Sequence, residues 1–185
     1  MVRITLCCMA LLFAISMPAQ DIVKCEGGTS FWIIKGKGKK FAVQLRGDIA
    51  GSGLPELINI DESSLHYKIL SKSEYIKKGA GKSDAALLTR FIKGEEAFLG
   101  EKMKPGYQLK KLPSGKTFLL WHHDWFGSDE AVEQQVHATI IIDQEIIWLS
   151  CPKFVGQERS KVEALISAAI AKIKRIKDIK ELCSK

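Results

Sequence analysis

The sequence has few of the short motifs that identify an enzyme. It contains no Gly-x-Ser-x-Gly elbow, no Cys-x-x-Cys pair and no His-x-x-x-His spacing. The glycine-containing stretch 79–83 resembles a phosphate-binding loop, but Ile76 stands where that loop requires its first glycine. The strong signals for a serine hydrolase, a metal site and a nucleotide site are therefore missing, and a non-catalytic function is favoured.

Long apolar runs are also scarce. After residue 20, no segment approaches the ~20 apolar residues of a membrane-spanning helix. The run 4–17 follows Arg3 and ends before Pro18, which is typical of a secretory signal peptide. We expect residues 1–20 to be cleaved, which would leave a secreted or periplasmic protein without a transmembrane helix. An uncleaved N-terminal anchor is the alternative.

Internal repeats and low-complexity linkers are lacking as well. The chain has 185 residues, of which 46% are hydrophobic and 26% charged. This composition is that of an ordinary globular protein, and the length suits one domain. Residues 21–185 are therefore predicted to form a single α+β domain.

The charge is moderately positive and unevenly distributed. The formal net charge is +7, and one short turn contains four lysines, which we call the basic turn: Lys35, Lys37, Lys39 and Lys40. Such a cluster attracts an anionic glycan or lipid surface. A solvated charged face is the more ordinary explanation, because lysine is a common surface residue. Nucleic acid is not an expected partner outside the cytoplasm.

Three cysteines follow the predicted signal peptide, so at most one intramolecular disulfide can form. Cys151 precedes and Cys183 follows a predicted helix of about 25 residues, which at ~1.5 Å per residue keeps the two thiols too far apart to bond. We therefore expect a disulfide between Cys25 and either Cys151 or Cys183.

Hydrophobic patterning predicts a mainly antiparallel sheet. A two-residue turn at Asp143 and Gln144 joins two of its strands. The main strand segments are a hairpin at 31–35 and 41–45, followed by a meander at 107–112, 116–125, 134–142 and 145–151.

Two helices are predicted from apolar positions at helical spacing. One begins after the N-cap Ser83 and continues to about Met103. The other begins at a capping box formed by Ser160 and Glu163 and has a long apolar stripe that reaches Ile179. Because the meander strands are apolar on both faces, we expect helices on both faces, as an α-β-α sandwich with a long C-terminal helix.

This order of elements resembles that of the PsbP-like group of exported or lumenal sandwich proteins. The shared features are an export signal, a strand pair beginning at Phe31, a middle helix, a meander and a C-terminal helix. The resemblance covers most of residues 30–180 and implies a non-enzymatic accessory or binding module. It assigns no functional residue.

The most unusual string is the segment 121–125, which reads Trp-His-His-Asp-Trp. Imidazole and carboxylate side chains are ligands for zinc, so His122, Asp124 and His137 form a candidate metal set. Alternatively, Trp121 and Trp125 form the aromatic rim of a site for a sugar or peptide.

Three functions remain open at this point. The first is an exported binding or accessory protein that recognises an envelope protein or another ligand. The second is a metal-binding protein or metal-dependent hydrolase that uses His122, Asp124 and His137, with zinc as its cofactor. The third is an envelope surface protein that binds anionic groups through the basic turn.

Overall fold

A computed structural model describes residues 22–75, 83–100 and 105–183. The predicted signal peptide and residues 79–82 of the glycine-containing stretch lie outside these residues. The strands are β1 (Ile22–Lys24), β2 (Ser30–Gly36), β3 (Lys39–Leu45), β4 (Ile49–Gly51), β5 (Leu57–Ile60), β6 (Ser63–Ser71), β7 (Gly106–Lys111), β8 (Thr117–Asp124), β9 (Val132–Ile142), β10 (Glu145–Phe154) and β11 (Ile173–Ile176). The helices are α1 (Lys72–Tyr75), α2 (Asp84–Leu99) and α3 (Arg159–Ala171), and a short 3₁₀-helix spans Ile179–Glu181.

The larger of two antiparallel sheets has seven strands in the order β4-β5-β6-β10-β9-β8-β7. Its centre is the predicted meander. The predicted turn at Asp143 and Gln144 is confirmed, because Ile142 pairs with Glu145 across it. Asp143 has a φ of 56°, in the left-handed region that aspartate tolerates better than most residues.

Alternation along β8 divides the buried residues of this sheet between two faces. Leu119 and Trp121 pack against helix α2, so we call their side the α2 face. Phe118 and Leu120 lie in the main core together with residues of helix α3, so we call their side the α3 face. Both sets are buried, which explains why the meander strands are apolar throughout.

A second sheet, in the order β1-β2-β3-β11, shares the main core with the α3 face. Trp32 packs edge-to-face against Tyr67 of β6, with ring centroids 5.2 Å apart. Gly36 permits this close approach, because a Cβ at that position would lie only 2.9 Å from Cγ2 of Ile69. The main core is therefore a sandwich of two sheets, with α3 beside the smaller one.

Helix α2 begins where the sequence predicts. The Ser83 side chain accepts a hydrogen bond from the backbone N–H of Ala86 at 3.2 Å, which satisfies one of the free N–H groups of the first turn. Phe91 stands between two indoles of the sheet, with ring centroids 6.3 Å from Trp121 and 5.5 Å from Trp148.

The prediction of a long C-terminal helix is wrong. Helix α3 has 13 residues and ends at Ala171, after which Ile173 and Ile176 belong to β11. The predicted capping box is also absent, since Glu158 is the N-cap and makes no side-chain cap bond. Ile173 pairs with Val43 on the edge of β3, which offers unpaired backbone groups and suits β-branched residues.

The last described residues fold over the outer side of the smaller sheet. Leu182 packs there in a small buried cluster with Phe31, Ile33, Ala42 and Ile176. A disulfide joins Cys25 to Cys183 across 158 positions of the sequence, while Cys151 is free and buried. In the described part of the chain, no helix is long and apolar enough to cross a membrane.

Candidate functional site

The predicted metal set is divided between the two faces of the larger sheet. His137 pairs with Trp121 and therefore lies on the α2 face, whereas His122 pairs with Val136 on the α3 face. His122 Nε2 instead lies 3.0 Å from Nη1 of Arg159. The register between β8 and β9 separates the two imidazoles, and one residue of offset is enough to change the face of a side chain.

Asp124, the remaining member of that set, accepts a hydrogen bond from Nε2 of Gln134 at 3.0 Å. Across residues 22–75, 83–100 and 105–183, no three His, Cys, Asp or Glu side chains are grouped as metal ligands. The structure thus does not bring the predicted ligands together.

The four lysines of the basic turn do not share one surface. Lys39 lies opposite Gly36, and its Nζ donates to Oε1 of the buried Glu145 at 2.9 Å. Lys35 pairs with Lys40 at the adjacent position, so these two side chains lie on the other face of the hairpin. Lys37 stands in the turn between the strands.

An aromatic cluster lies on the α2 face, beyond the part that helix α2 covers. His137 is stacked on Trp121 with ring centroids 3.8 Å apart and on His123 at 5.1 Å. Trp121 was a predicted member of the ligand rim, but it is 1% exposed and forms the base of this cluster. Its indole Nε1 donates to Oγ1 of the buried Thr139 at 3.2 Å.

The hydrogen bonds of His137 fix where its proton lies. Nδ1 accepts a hydrogen bond from Nε1 of Trp148 at 2.9 Å, and an indole N–H can only donate. The neutral ring therefore carries its proton on Nε2. That N–H is buried and has no hydrogen-bond partner among the described residues.

Burial keeps this imidazole neutral. His137 is 4% exposed, and burial lowers its pKa well below the usual value, an effect that His123, His122 and His66 reinforce. With Nδ1 already accepting and Nε2 protonated, the ring offers a hydrogen-bond donor and no lone pair for a base. His137 is thus suited to holding a ligand rather than to removing a proton.

A second donor without a partner comes from Trp125, just after β8. Its indole Nε1 is buried and has no acceptor within the described part of the chain. The backbone N–H of Trp125 donates to the carbonyl of Glu133 at 2.9 Å. Gly127 packs against the indole so closely that a Cβ would lie 2.2 Å from Cζ2.

His137 and Trp125 line the same groove on the α2 face. Its volume is about 460 Å³, within the ~300–1,000 Å³ typical of small-molecule sites. An unsatisfied buried N–H costs roughly 1–3 kcal/mol, so two such groups in one groove indicate that an acceptor belongs there. The lining residues are Leu57, Ser64, His66, Trp125, Asp129, Val132, Gln135, His137, Ser150, Pro152 and Phe154.

Sequence reasoning named Trp125 and His137 but missed the rest of this lining. His66 and Ser150 meet because β6 pairs with β10, a contact between distant segments. The sequence does contain one signal for part of this lining. The turn at Asp143 and Gln144 pairs His137 with Ser150, and it places Trp148 on the same face, two residues from Ser150.

Cys151 lies on the other side of this sheet. It pairs with Val136 and therefore faces away from His137. Burial raises the pKa of its thiol to about 12, which leaves almost no thiolate at neutral pH. The arrangement does not form a cysteine–histidine nucleophile.

Comparison with solved structures finds several similar chains. The solution structure of cyanobacterial PsbP from Synechocystis sp. PCC 6803 is similar to this chain, with a TM-score of 0.46 and 10% identity, over 83% of this chain and 98% of that one. That protein is a member of the PsbP-like group named in the sequence analysis, and the likeness assigns no residue a role. No family model and no curated protein matches the sequence.

Proposed function

We propose that this chain is an exported accessory protein that binds an uncharged ligand in the groove beside Trp125 and catalyses no reaction on it. The observation that carries the proposal is the pair of buried N–H groups, Nε1 of Trp125 and Nε2 of His137, which lack partners in the described residues. Both side chains line one groove. A ligand oxygen would satisfy each donor once the groups that cover the two buried nitrogen atoms move aside.

The arrangement of His137 and Cys151 favours binding over catalysis, because these two residues do not form a base and a nucleophile. His137 has no free lone pair in its neutral form, and Cys151 faces the opposite side of the sheet. A nucleophile must lie within hydrogen-bond reach of a base to be activated by it. Neither residue meets that requirement.

Export is supported by two independent features. The apolar run 4–17 after Arg3 is typical of a secretory signal. A disulfide between Cys25 and Cys183 is typical of proteins that fold in an oxidising compartment. The ligand is therefore expected in the envelope or outside the cell.

The proposal is tested by following the indole N–H signals in nuclear magnetic resonance spectra of the ¹⁵N-labelled protein. The probes are uncharged oligosaccharides and peptides with blocked ends, each added to millimolar concentration. We expect at least one probe to shift the Trp125 signal. Trp125→Ala should then weaken binding of that probe by about tenfold or more, because a buried aromatic anchor commonly contributes over 1 kcal/mol.

Phe98→Ala is the matched control, because Phe98 is an aromatic residue that is 83% exposed and is not in the groove lining. It should bind the probe as the wild type does. Thermal unfolding of both variants separates lost binding from lost structure. If Phe98→Ala and Trp125→Ala weaken binding equally, the groove is not the site.

A further inference from the structure

The groove has little charge with which to hold an ion. In the described part of the chain, its lining contains one carboxylate, Asp129, and no lysine or arginine. Asp129 Oδ1 already accepts the backbone N–H of Ala131 at 3.0 Å. Burial lowers the pKa of both histidines in the lining, His66 and His137, which favours their neutral forms. The lining therefore has no positive charge for an anion, and its single carboxylate already accepts a hydrogen bond within the chain.

The polar groups of the groove are numerous and mixed in type. Ser150 and Gln135 can each donate and accept, and His66 offers one donor and one acceptor when neutral. Ser64 donates its hydroxyl to Oδ1 of Asn59 at 2.9 Å and keeps lone pairs for accepting. A matching ligand needs several closely spaced groups that both donate and accept, as hydroxyl groups do.

The remaining residues that line the groove are apolar or aromatic. Trp125 contributes an indole, and Val132, Pro152 and Phe154 add aliphatic and aromatic surface. Gly127 leaves room for the indole, because a Cβ at that position would displace it. An aromatic surface beside mixed polar groups suits a ring that has C–H bonds on one side and hydroxyls at its rim.

We infer that the ligand of this groove is a neutral saccharide. The inference rests on the function proposed above and names its substrate class. The N–H groups of Trp125 and His137 donate to sugar oxygens, and Ser150, Gln135 and His66 bond to the hydroxyls. The ring packs against Trp125. A peptide chain fits less well, since it presents one donor and one acceptor per residue at fixed spacing.

Four probes of similar length distinguish the classes: cellotetraose, the tetrasaccharide of N-acetylglucosamine, tetragalacturonate, and tetra-alanine with blocked ends. Each is titrated into the ¹⁵N-labelled protein with its disulfide intact, and the Trp125 indole N–H signal is followed. We expect one of the two neutral saccharides to bind at least tenfold more tightly than tetragalacturonate and the peptide.

Two variants test the assigned contacts. Trp125→Phe keeps an aromatic ring and removes the N–H, so it should weaken saccharide binding by about tenfold. Isothermal titration calorimetry measures this affinity, because the variant has no Trp125 indole signal. Gly127→Ala changes no lining residue but displaces the Trp125 indole, and it should weaken binding to a similar degree. Phe98→Ala should bind as the wild type does. Thermal unfolding confirms that each variant is folded.

The outcomes separate the inference from the function on which it rests. If the peptide shifts the Trp125 signal and neither neutral saccharide does, the saccharide inference is overturned and the groove remains a binding site. If tetragalacturonate binds as tightly as the neutral saccharides, the electrostatic argument fails and with it the inference. If no probe perturbs Trp125 in the folded protein, both the inference and the proposed function are overturned.

Discussion

Replacing both Cys25 and Cys183 by serine is expected to lower the free energy of unfolding by about 2–5 kcal/mol. The disulfide closes a loop across 158 positions, so its loss frees a large part of the unfolded chain. On a chain-entropy estimate, loops of this size give values near the upper end of that range. Urea unfolding of the oxidised wild type and the variant measures the difference.

The double substitution avoids exchange between a single remaining thiol and Cys151. As a control, Cys151→Ala removes a buried thiol without opening any disulfide, so it should cost less. A double variant that unfolds at the same urea concentration as the wild type would contradict the prediction. So would a native wild-type protein in which Cys25 reacts with a thiol reagent.

The central meander could be predicted from the sequence because its signals are local. Continuous apolar strands and the turn at Asp143 and Gln144 determine which residues pair, and the same register sets His137 opposite Ser150. The start of helix α2 is local in the same way, since Ser83 caps the helix that follows it. Neither prediction depends on a distant segment.

The C-terminal segment could not be predicted in this way. Isoleucines three residues apart fit a helical stripe, yet Ile173 and Ile176 also fit a strand that has apolar neighbours on both sides. Such neighbours exist here because Ile173 lies beside Val43 while Ile176 packs with Leu182 in the outer cluster. Pairing with the free edge of β3 makes this segment a strand and not a helix. Strand β3 lies more than 120 residues earlier in the sequence, so no local pattern reveals the pairing.

The groove lined by Trp125 and His137 could not be predicted for a related reason. The face on which His137 lies relative to His122 depends on how β8 pairs with β9, and the connection between these strands, residues 125–131, contains no tight-turn motif that fixes the register. The sequence therefore gives the residue types of a site without showing which of them meet. The unpartnered N–H groups of Trp125 and His137 become visible only in three dimensions.

Lowering the pH from 6.5 to 5.5 is expected to reduce the free energy of unfolding, with His137 contributing about 1 kcal/mol of the loss. In the folded protein, burial holds the pKa of His137 well below its usual value, whereas in the unfolded chain the ring titrates near the ordinary ~6.5. Below that pH the unfolded state binds a proton that the folded state does not. The contribution of His137 to stability is therefore complete above pH 6.5 and is lost as the pH decreases.

His137→Gln isolates this contribution, because an amide can replace both ring nitrogens in hydrogen bonding and does not titrate. Its unfolding free energy should fall less steeply between pH 6.5 and 5.5 than that of the wild type, by up to ~1.4 kcal/mol per pH unit. His66→Gln is the matched comparison. The pKa of His66 is also lowered by burial, but Glu56 opposes the shift, so its removal should flatten the slope less.

The measured pH range ends at 5.5, because below it a carboxyl group changes the free energy of unfolding in the opposite direction. Burial raises the pKa of Glu95, so at lower pH the folded state binds this proton more readily than the unfolded chain, and acid then adds stability. Measurements at pH 6.5, 6.0 and 5.5 therefore report mainly on the imidazoles. Equal slopes for the wild type and His137→Gln would show that His137 titrates in the folded protein as it does in the unfolded chain, and that burial does not hold it neutral.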